Sequence, residues 1–386
     1  MSKSNVVVQG FCDDQFSEVR EAFEENFHER HEVGASFALT VEGEFVVDLW
    51  GGHRDAERQH AWDNDTIVLV YSTTKTMTFI CALLLVEQGL LDIDAPVREY
   101  WPEFFAGGQD VRVKHVMSHS AGLPGFEEPF SGADQLNWSL CCENLANATP
   151  IWEPGSQSGY HGLTQGFLIG ELVRRISGKT IGTFFKDEVG LGSKTGADFH
   201  IGVDPGDFGR IADLIPPTEP FPWLIAGGEP NEAVDSISVR SDEEEAVEAS
   251  KAAVALMATP EWRMAEIPAA NGHGNARGIV QAQTALANNG SAFGVRLFSE
   301  ATCRLAGKPL ISGVDRILGE EMTFAFGYGI VEGKLLWGGL GGSIAVVDQA
   351  NRACYAYAMN QMGNQMLFDD RATLLGLAVD KAIAAI

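Results

Sequence analysis

The stretch Val70–Gly89, VYSTTKTMTFICALLLVEQG, sets a serine, two threonines and a lysine directly ahead of an apolar run. Its first polar residues, Ser72-Thr73-Thr74-Lys75, read S-x-x-K. On a helix, residues three apart share a face, so Lys75 is expected beside the Ser72 hydroxyl. Ser72 would occupy the first turn, where unpaired N–H groups and the helix dipole favour developing negative charge. A weak alcohol with a proton acceptor attached is an activated nucleophile. The spacing alone equally suits a capped helix whose lysine snorkels to solvent.

The flanking segments place that helix in a mixed fold. From Asp14 to Arg30, Phe16, Val19, Phe23 and Phe27 recur at helical spacing. GASFALTVEGEFVVDLWGG reads as two strands around a Glu42-Gly43 turn. At the far end, FAFGYGIVEGKLLWGGLGGSIAVVDQANRACYAYAMNQM reads as three strands, and DDRATLLGLAVDKAIAAI as a last helix. Strands at both ends with short turns imply an antiparallel sheet flanked by terminal helices. The fold class is therefore α+β, with a sheet domain from residues 1–95 and 308–386 and a mostly helical domain from 96–307. In that second region Ser241 and Glu244 form a capping-box pattern. The proline-rich stretch Leu214–Pro230 excludes helix or central strand.

Composition narrows the functions. The 386 residues suggest about two domains. A formal net charge of −26 argues against nucleic acid and against an anionic membrane surface. The longest apolar run, Phe79–Val86, is too short to span a bilayer. The start, MSKSNVVVQGFCDDQF, carries no sustained apolar segment. Cys12, Cys81, Cys141, Cys142, Cys303 and Cys354 lack paired spacing, so a cytoplasmic protein with reduced thiols is expected.

Two common chemistries do not fit. No serine has glycines at both −2 and +2, as a G-x-S-x-G elbow requires. HERHE, His28–Glu32, spaces its histidines three apart and not four, and is expected to decorate the polar face of the first helix. His273 in GHGN has no ligand cluster nearby. No metal and no cofactor is expected.

Three further signatures accompany S-x-x-K. EPGSQSGYHG places Tyr160 where a phenol could share the proton traffic of Lys75. LWGGLGGS is a glycine-rich strand and turn whose bare backbone can approach a substrate. VMSHSAGLPG and ANGHGNARG are compact loops flanking these. In this order, and with FGYG and YAMNQM, the motifs resemble those of the serine β-lactamase and penicillin-binding-protein superfamily. The likeness is closest to class C-like β-lactamases and family VIII carboxylesterases, and runs from about Gly34 to Met362.

The resemblance implies an active site in the cleft between a sheet domain and a helical domain. It implies Ser72 as nucleophile, Lys75 and Tyr160 as the proton-handling pair, and the N–H groups of Ser72 and Leu340 as oxyanion hole. Trp337-Gly338-Gly339 fills the place of the family's K-T-G triplet and would bind substrate; the literal Lys194-Thr195-Gly196 lies too early in the chain. Two departures bear on the substrate. The Y-x-N element reads Tyr160-His161-Gly162, so its amide is missing, and the K-T-G lysine, a carboxylate grip, is Trp337. An indole in place of a cation suits a neutral ester, with Trp337 as an apolar wall. The expected partner is a small-molecule ester, and a homo-oligomer is compatible with the sequence. The same residues would serve a β-lactamase, a D-amino-acid amidase or peptidase, an acyltransferase, or a slowly deacylating sensor. In the pair, the lysine cation is expected to favour phenolate, and burial to lower the lysine's own pKa.

Overall fold

The computed structural model describes residues 6–219, 243–365 and 369–385. Its centre is a nine-stranded sheet in the spatial order Val8–Cys12, Glu44–Gly52, Gly34–Val41, Ala353–Met359, Ile344–Asp348, Lys334–Gly338, Gly329–Val331, Glu321–Phe324 and Ile311–Val314. Every neighbouring pair is antiparallel. The chain's two ends meet where Gly34–Val41 pairs with Ala353–Met359. This confirms the α+β class and the antiparallel sheet.

Local chemistry explains the turns. Glu42 and Gly43 both take positive φ, 54° and 90°, as the tight hairpin between the second and third strands demands. The C-terminal stretch from Phe324 to Met362 holds four strands, not three, because a second such turn at Glu332 (φ 49°) and Gly333 (φ 79°) folds Gly329–Val331 back on Lys334–Gly338. The sequence reading passed over that Glu-Gly pair and ran the two strands together. It also passed over the edge strands Val8–Cys12 and Ile311–Val314.

Each face of the sheet is covered. On one side the helix Ser17–Glu29 packs on the C-terminal helix Asp370–Ala384, burying Val19, Phe23 and Phe27 with Leu375, Val379 and the strand residues Phe37, Leu39 and Tyr357. On the other side Ala276–Ala287 lies across the strands Gly34–Val41, Ile344–Asp348 and Ala353–Met359. Beyond it stands the helix Thr74–Glu87, buried at every position from Thr74 to Leu85. A helix apolar all round belongs at the centre of a large core. Here it packs on Thr164–Ser177, Ile181–Glu188 and Ala276–Ala287. Among the described residues no helix is long and apolar enough to cross a membrane.

Several local expectations meet a different outcome. HERHE is not uniformly a surface decoration: His28 is exposed, but Glu32 is buried against Arg371. Leu214–Glu219 is neither helix nor strand, with Ile215 bridging to Gln361, while the remainder of the proline-rich stretch and the Ser241 cap lie outside the described residues. All six cysteines are free.

The FGYG segment shows how closely the sheet approaches the buried helix. Gly327 has φ +86°, and a Cβ there would sit 2.1 Å from Phe79 Cγ. Gly327→Ala should therefore combine backbone strain with overpacking and cost about 2–4 kcal/mol. Urea unfolding would check this; a midpoint equal to the parent's would mean that the ring has room to yield.

Candidate active site

Ser72 is presented by a strained turn. The short strand Val68–Leu69 pairs with Gly272–Gly274, and the chain then enters a 3₁₀ turn, Tyr71–Thr73, that runs straight into the helix Thr74–Glu87. Tyr71 takes φ 43°, a left-handed conformation that a bulky residue adopts only when its surroundings impose it. Those surroundings are hydroxyls. Ser343 Oγ donates to Val70 O at 2.9 Å and lies 2.9 Å from Thr73 Oγ1. Thr74 Oγ1 donates to Tyr71 O and accepts from Gly272 N at 2.8 Å. Ser72 itself is half-buried while its neighbours Thr73, Thr74 and Lys75 are buried.

Lys75 does not snorkel: only 1% of its surface is exposed. Its Nζ stands 3.0 Å from Ser72 Oγ, 2.7 Å from Gly162 O and 2.9 Å from Ala269 O. Among the described residues no carboxylate is paired with it, and burial holds its pKa well below the usual lysine value. A neutral amine has two N–H bonds and one lone pair. The two carbonyls take the two N–H donors, which leaves the lone pair for the Ser72 hydroxyl proton. The arrangement is that of a general base.

Tyr160 closes the other side, donating from its hydroxyl to Ser72 Oγ at 2.7 Å. Burial raises this phenol to about 12, against the lowering effect of its hydrogen bond to Ser72 and of the nearby Trp337 indole. The phenol's own burial thus works against the phenolate that a lysine cation was expected to favour. Lys75 Nζ lies 4.9 Å from the Tyr160 ring centroid. In this ground state Tyr160 and Lys75 both donate to Ser72 Oγ, and Lys75 becomes the acceptor in its deprotonated form.

Trp337 and the glycines after it line the third side. Trp337 lies in the strand Lys334–Gly338 and is 2% exposed. Its ring is 5.2 Å from Tyr160, 5.6 Å from Phe324 and 5.9 Å from His119, centroid to centroid. It therefore backs the phenol, with little surface left to offer a substrate as a wall. Its Nε1 meets no acceptor in ordinary hydrogen-bond geometry, yet lies close enough to the phenol to temper its pKa. A Cβ on Gly339 would meet Val70 O at 2.1 Å, so only glycine lets this strand end close on the serine turn; Gly338 precedes it in the strand. Leu340 follows, in a turn where Gly342 N donates to Gly339 O at 3.1 Å. A planar trans peptide points the Leu340 N–H opposite to the Gly339 carbonyl, hence out of the turn. The Ser72 N–H is free as a first-turn donor.

The structure thus gathers Ser72, Lys75, Tyr160, Trp337, Gly338 and Gly339 in one region. Lys194-Thr195-Gly196 falls in a turn between the helix Ile181–Glu188 and the strand Phe199–Ile201. Functional contacts that residue types could not signal are the carbonyls of Gly162 and Ala269. Asp315, whose Oδ1 accepts from Tyr160 N at 2.9 Å, was also missed. So was His119, whose Nδ1 accepts from His161 N at 3.0 Å. Burial above all keeps His119 well below the usual histidine pKa. Among the described residues no group of three or more His, Cys, Asp or Glu is placed to hold a metal ion.

The chain matches known proteins along most of its length. The family model described as Beta-lactamase covers residues 19–380. The Esterase/beta-lactamase LipL of Mycobacterium tuberculosis is 32% identical over 387 residues, which take in 96% of this chain and 87% of that protein. A crystal structure of a family VIII carboxylesterase superposes with a TM-score of 0.85 at 35% identity, covering 97% of this chain and 100% of its own. A penicillin-binding protein homologue from Caulobacter crescentus does so with 0.87 at 34% identity and the same coverage.

The ionisation pattern makes a pH prediction. A base that must be neutral works better as pH rises through its pKa, so kcat/KM should climb out of the acid range and level off. It should not fall until the phenol ionises near 12. A pH–rate profile with a descending limb at neutral pH would contradict the assignment. Because both groups act on one oxygen, Tyr160→Phe and Lys75→Ala should each cost nearly as much as the double variant; additive losses would mean independent roles.

Proposed function

The chain belongs to the beta-lactamase family and is a serine ester hydrolase, and from that premise we propose that it cleaves neutral, short-chain carboxylic esters through an acyl-enzyme on Ser72. The observation that carries this reading is the position of Ser72 Oγ, 3.0 Å from the buried Lys75 amine and 2.7 Å from the Tyr160 hydroxyl. The Ser72 hydroxyl gives its proton to Lys75 Nζ as Oγ bonds to the ester carbonyl carbon. The carbonyl oxygen becomes an oxyanion facing the N–H groups of Ser72 and Leu340, each contributing about 3 kcal/mol. Collapse expels the alkoxide, which recovers the proton through the Lys75–Tyr160 pair. Water then attacks the acyl-enzyme by the reverse proton route, releasing the acid and restoring Ser72.

The substrate class follows from charge. Lys75 Nζ is taken up by two carbonyls and Ser72 Oγ, position 337 holds an indole, and Gly162 brings no amide side chain. A substrate carboxylate would find no charge-assisted partner among these residues. The name of LipL and the likeness to a penicillin-binding protein homologue make β-lactam hydrolysis the second reading. Parallel assays on p-nitrophenyl acetate and nitrocefin separate the two, and faster nitrocefin turnover would reverse the order.

Ser72→Ala should lower ester turnover by roughly 10⁴-fold or more. A phosphonate ester should leave one adduct, on the peptide bearing Ser72. A label on Ser118, Ser156 or Ser343 instead would overturn the assignment.

A further inference from the structure

The largest buried charge cluster outside the site lies directly behind the turn that bears Leu340. Arg371, at the start of the C-terminal helix, uses all five of its N–H groups. Nε donates to Asp369 Oδ1 at 2.8 Å and Nη2 to Asp369 Oδ2 at 2.9 Å. Nη1 donates to Glu32 Oε2 at 2.8 Å and to Gln361 O at 2.8 Å. The remaining Nη2 hydrogen goes to Gly341 O at 3.0 Å, which also accepts from Gly363 N at 2.9 Å. Glu32 is held in turn by Val33 N at 2.9 Å and by the Tyr357 hydroxyl.

Gly341 is the third residue of the Gly339–Gly342 turn, at φ +90°, and Gly342 follows at φ +125°. Two adjacent glycines at positive φ give this turn more alternative conformations than any side-chain-bearing residue would. Its peptide beyond Gly341 is nonetheless fixed at both ends: the carbonyl by Arg371 and Gly363, and the N–H of Gly342 by Gly339 O at 3.1 Å. The same hydrogen bond that ties Gly342 to Gly339 sets the plane of the Gly339–Leu340 peptide. That plane decides where the Leu340 N–H points.

We propose that Arg371 is a positioning residue for the oxyanion hole, anchored by Asp369 on Nε and Nη2 and acting through Gly341 O to fix the direction of the Leu340 N–H. The inference rests on the reading of Ser72 as an acyl-transfer nucleophile. Arg371 does not touch substrate; every donor it has is spent inside the fold. Its charge is not interchangeable with lysine's, because the three donors of one ammonium cannot replace five that reach two carboxylates and two carbonyls.

The test compares Arg371→Lys, Asp369→Asn and Glu32→Gln with the parent. The substrate is p-nitrophenyl acetate, and the probe for the hole is an alkyl trifluoromethyl ketone. With the ketone, Ser72 Oγ bonds to the carbonyl carbon, its proton passes to Lys75, and the carbonyl oxygen becomes an oxyanion. Arg371→Lys should lower kcat by about tenfold or more with KM changed by less than about twofold, the mark of an interaction made in the transition state. Ketone affinity should fall by the same factor. Glu32→Gln disturbs the cluster without touching Gly341, so it should melt lower yet keep the parent's kcat and ketone affinity. If Arg371→Lys does not accumulate as folded protein, Asp369→Asn carries the same expectation. Parent-like kcat and ketone affinity in whichever of the two folds would overturn the proposal. So would a Glu32→Gln variant that loses turnover in step with its melting temperature. Phosphonate labelling separates the two readings. An unlabelled Ser72 in the parent defeats the nucleophile assignment, whereas a labelled Ser72 with turnover indifferent to Arg371 defeats this proposal alone.

Discussion

Lys75 is buried with no counter-ion among the described residues, and the arrangement around Ser72 depends on how that burial is tolerated. An ammonium in this place would lose its hydration and gain only two carbonyls and a hydroxyl. The amine form loses far less, and the Gly162 and Ala269 carbonyls match its two N–H bonds. Those carbonyls come from two segments far apart in the chain: one follows Tyr160, the other precedes the strand Gly272–Gly274. Each must be in place before the lysine has a defined direction. The proposed general base is thus assembled by tertiary structure around a helix whose own sequence supplies only the side chain.

The serine turn is tied to the sheet by the same economy of small groups. Val70 O receives Ser343 Oγ and is crowded by Gly339, while Thr74 Oγ1 holds Tyr71 O and Gly272 N. Short hydroxyls and glycines let three backbone segments approach to hydrogen-bonding distance, where larger side chains would hold them apart. Tyr160 is fixed differently, by Asp315 on its N–H and by a packed set of rings, His119, Phe324 and Trp337. Polar threads on one side and aromatic bulk on the other give Ser72 Oγ its two neighbours.

Much of this was legible in the sequence, and the exceptions have physical causes. S-x-x-K, the tyrosine after Pro154-Gly155 and the W-G-G stretch announced themselves because side chains at fixed spacing carry the chemistry. The Glu42-Gly43 hairpin was readable because positive φ calls for particular residues. The Glu332-Gly333 turn had the same chemistry, but the strands beside it are so short that they read as one. Gly162 and Ala269 were invisible because a backbone carbonyl has no letter. For the Lys75–Tyr160 pair the lowering of the lysine by burial was legible, whereas the raised phenol was not, because its own depth of burial is not displayed by a sequence. Glu32 looked like surface until its partner, hundreds of residues later, was placed beside it.

Keeping Lys75 uncharged also links the active site to the thermodynamics of the whole fold. Burial lowers the lysine pKa in the native chain, whereas the unfolded chain returns it to the ordinary range. Between those two values the unfolded state binds one proton more than the native state, so this residue makes stability rise with pH by about 1.4 kcal/mol per unit. Below the native pKa the slope vanishes, and above the ordinary lysine pKa it vanishes again. Within that interval the native fold carries the cost of releasing this proton. The enzyme's readiness and a standing loss of conformational stability are two faces of one proton equilibrium.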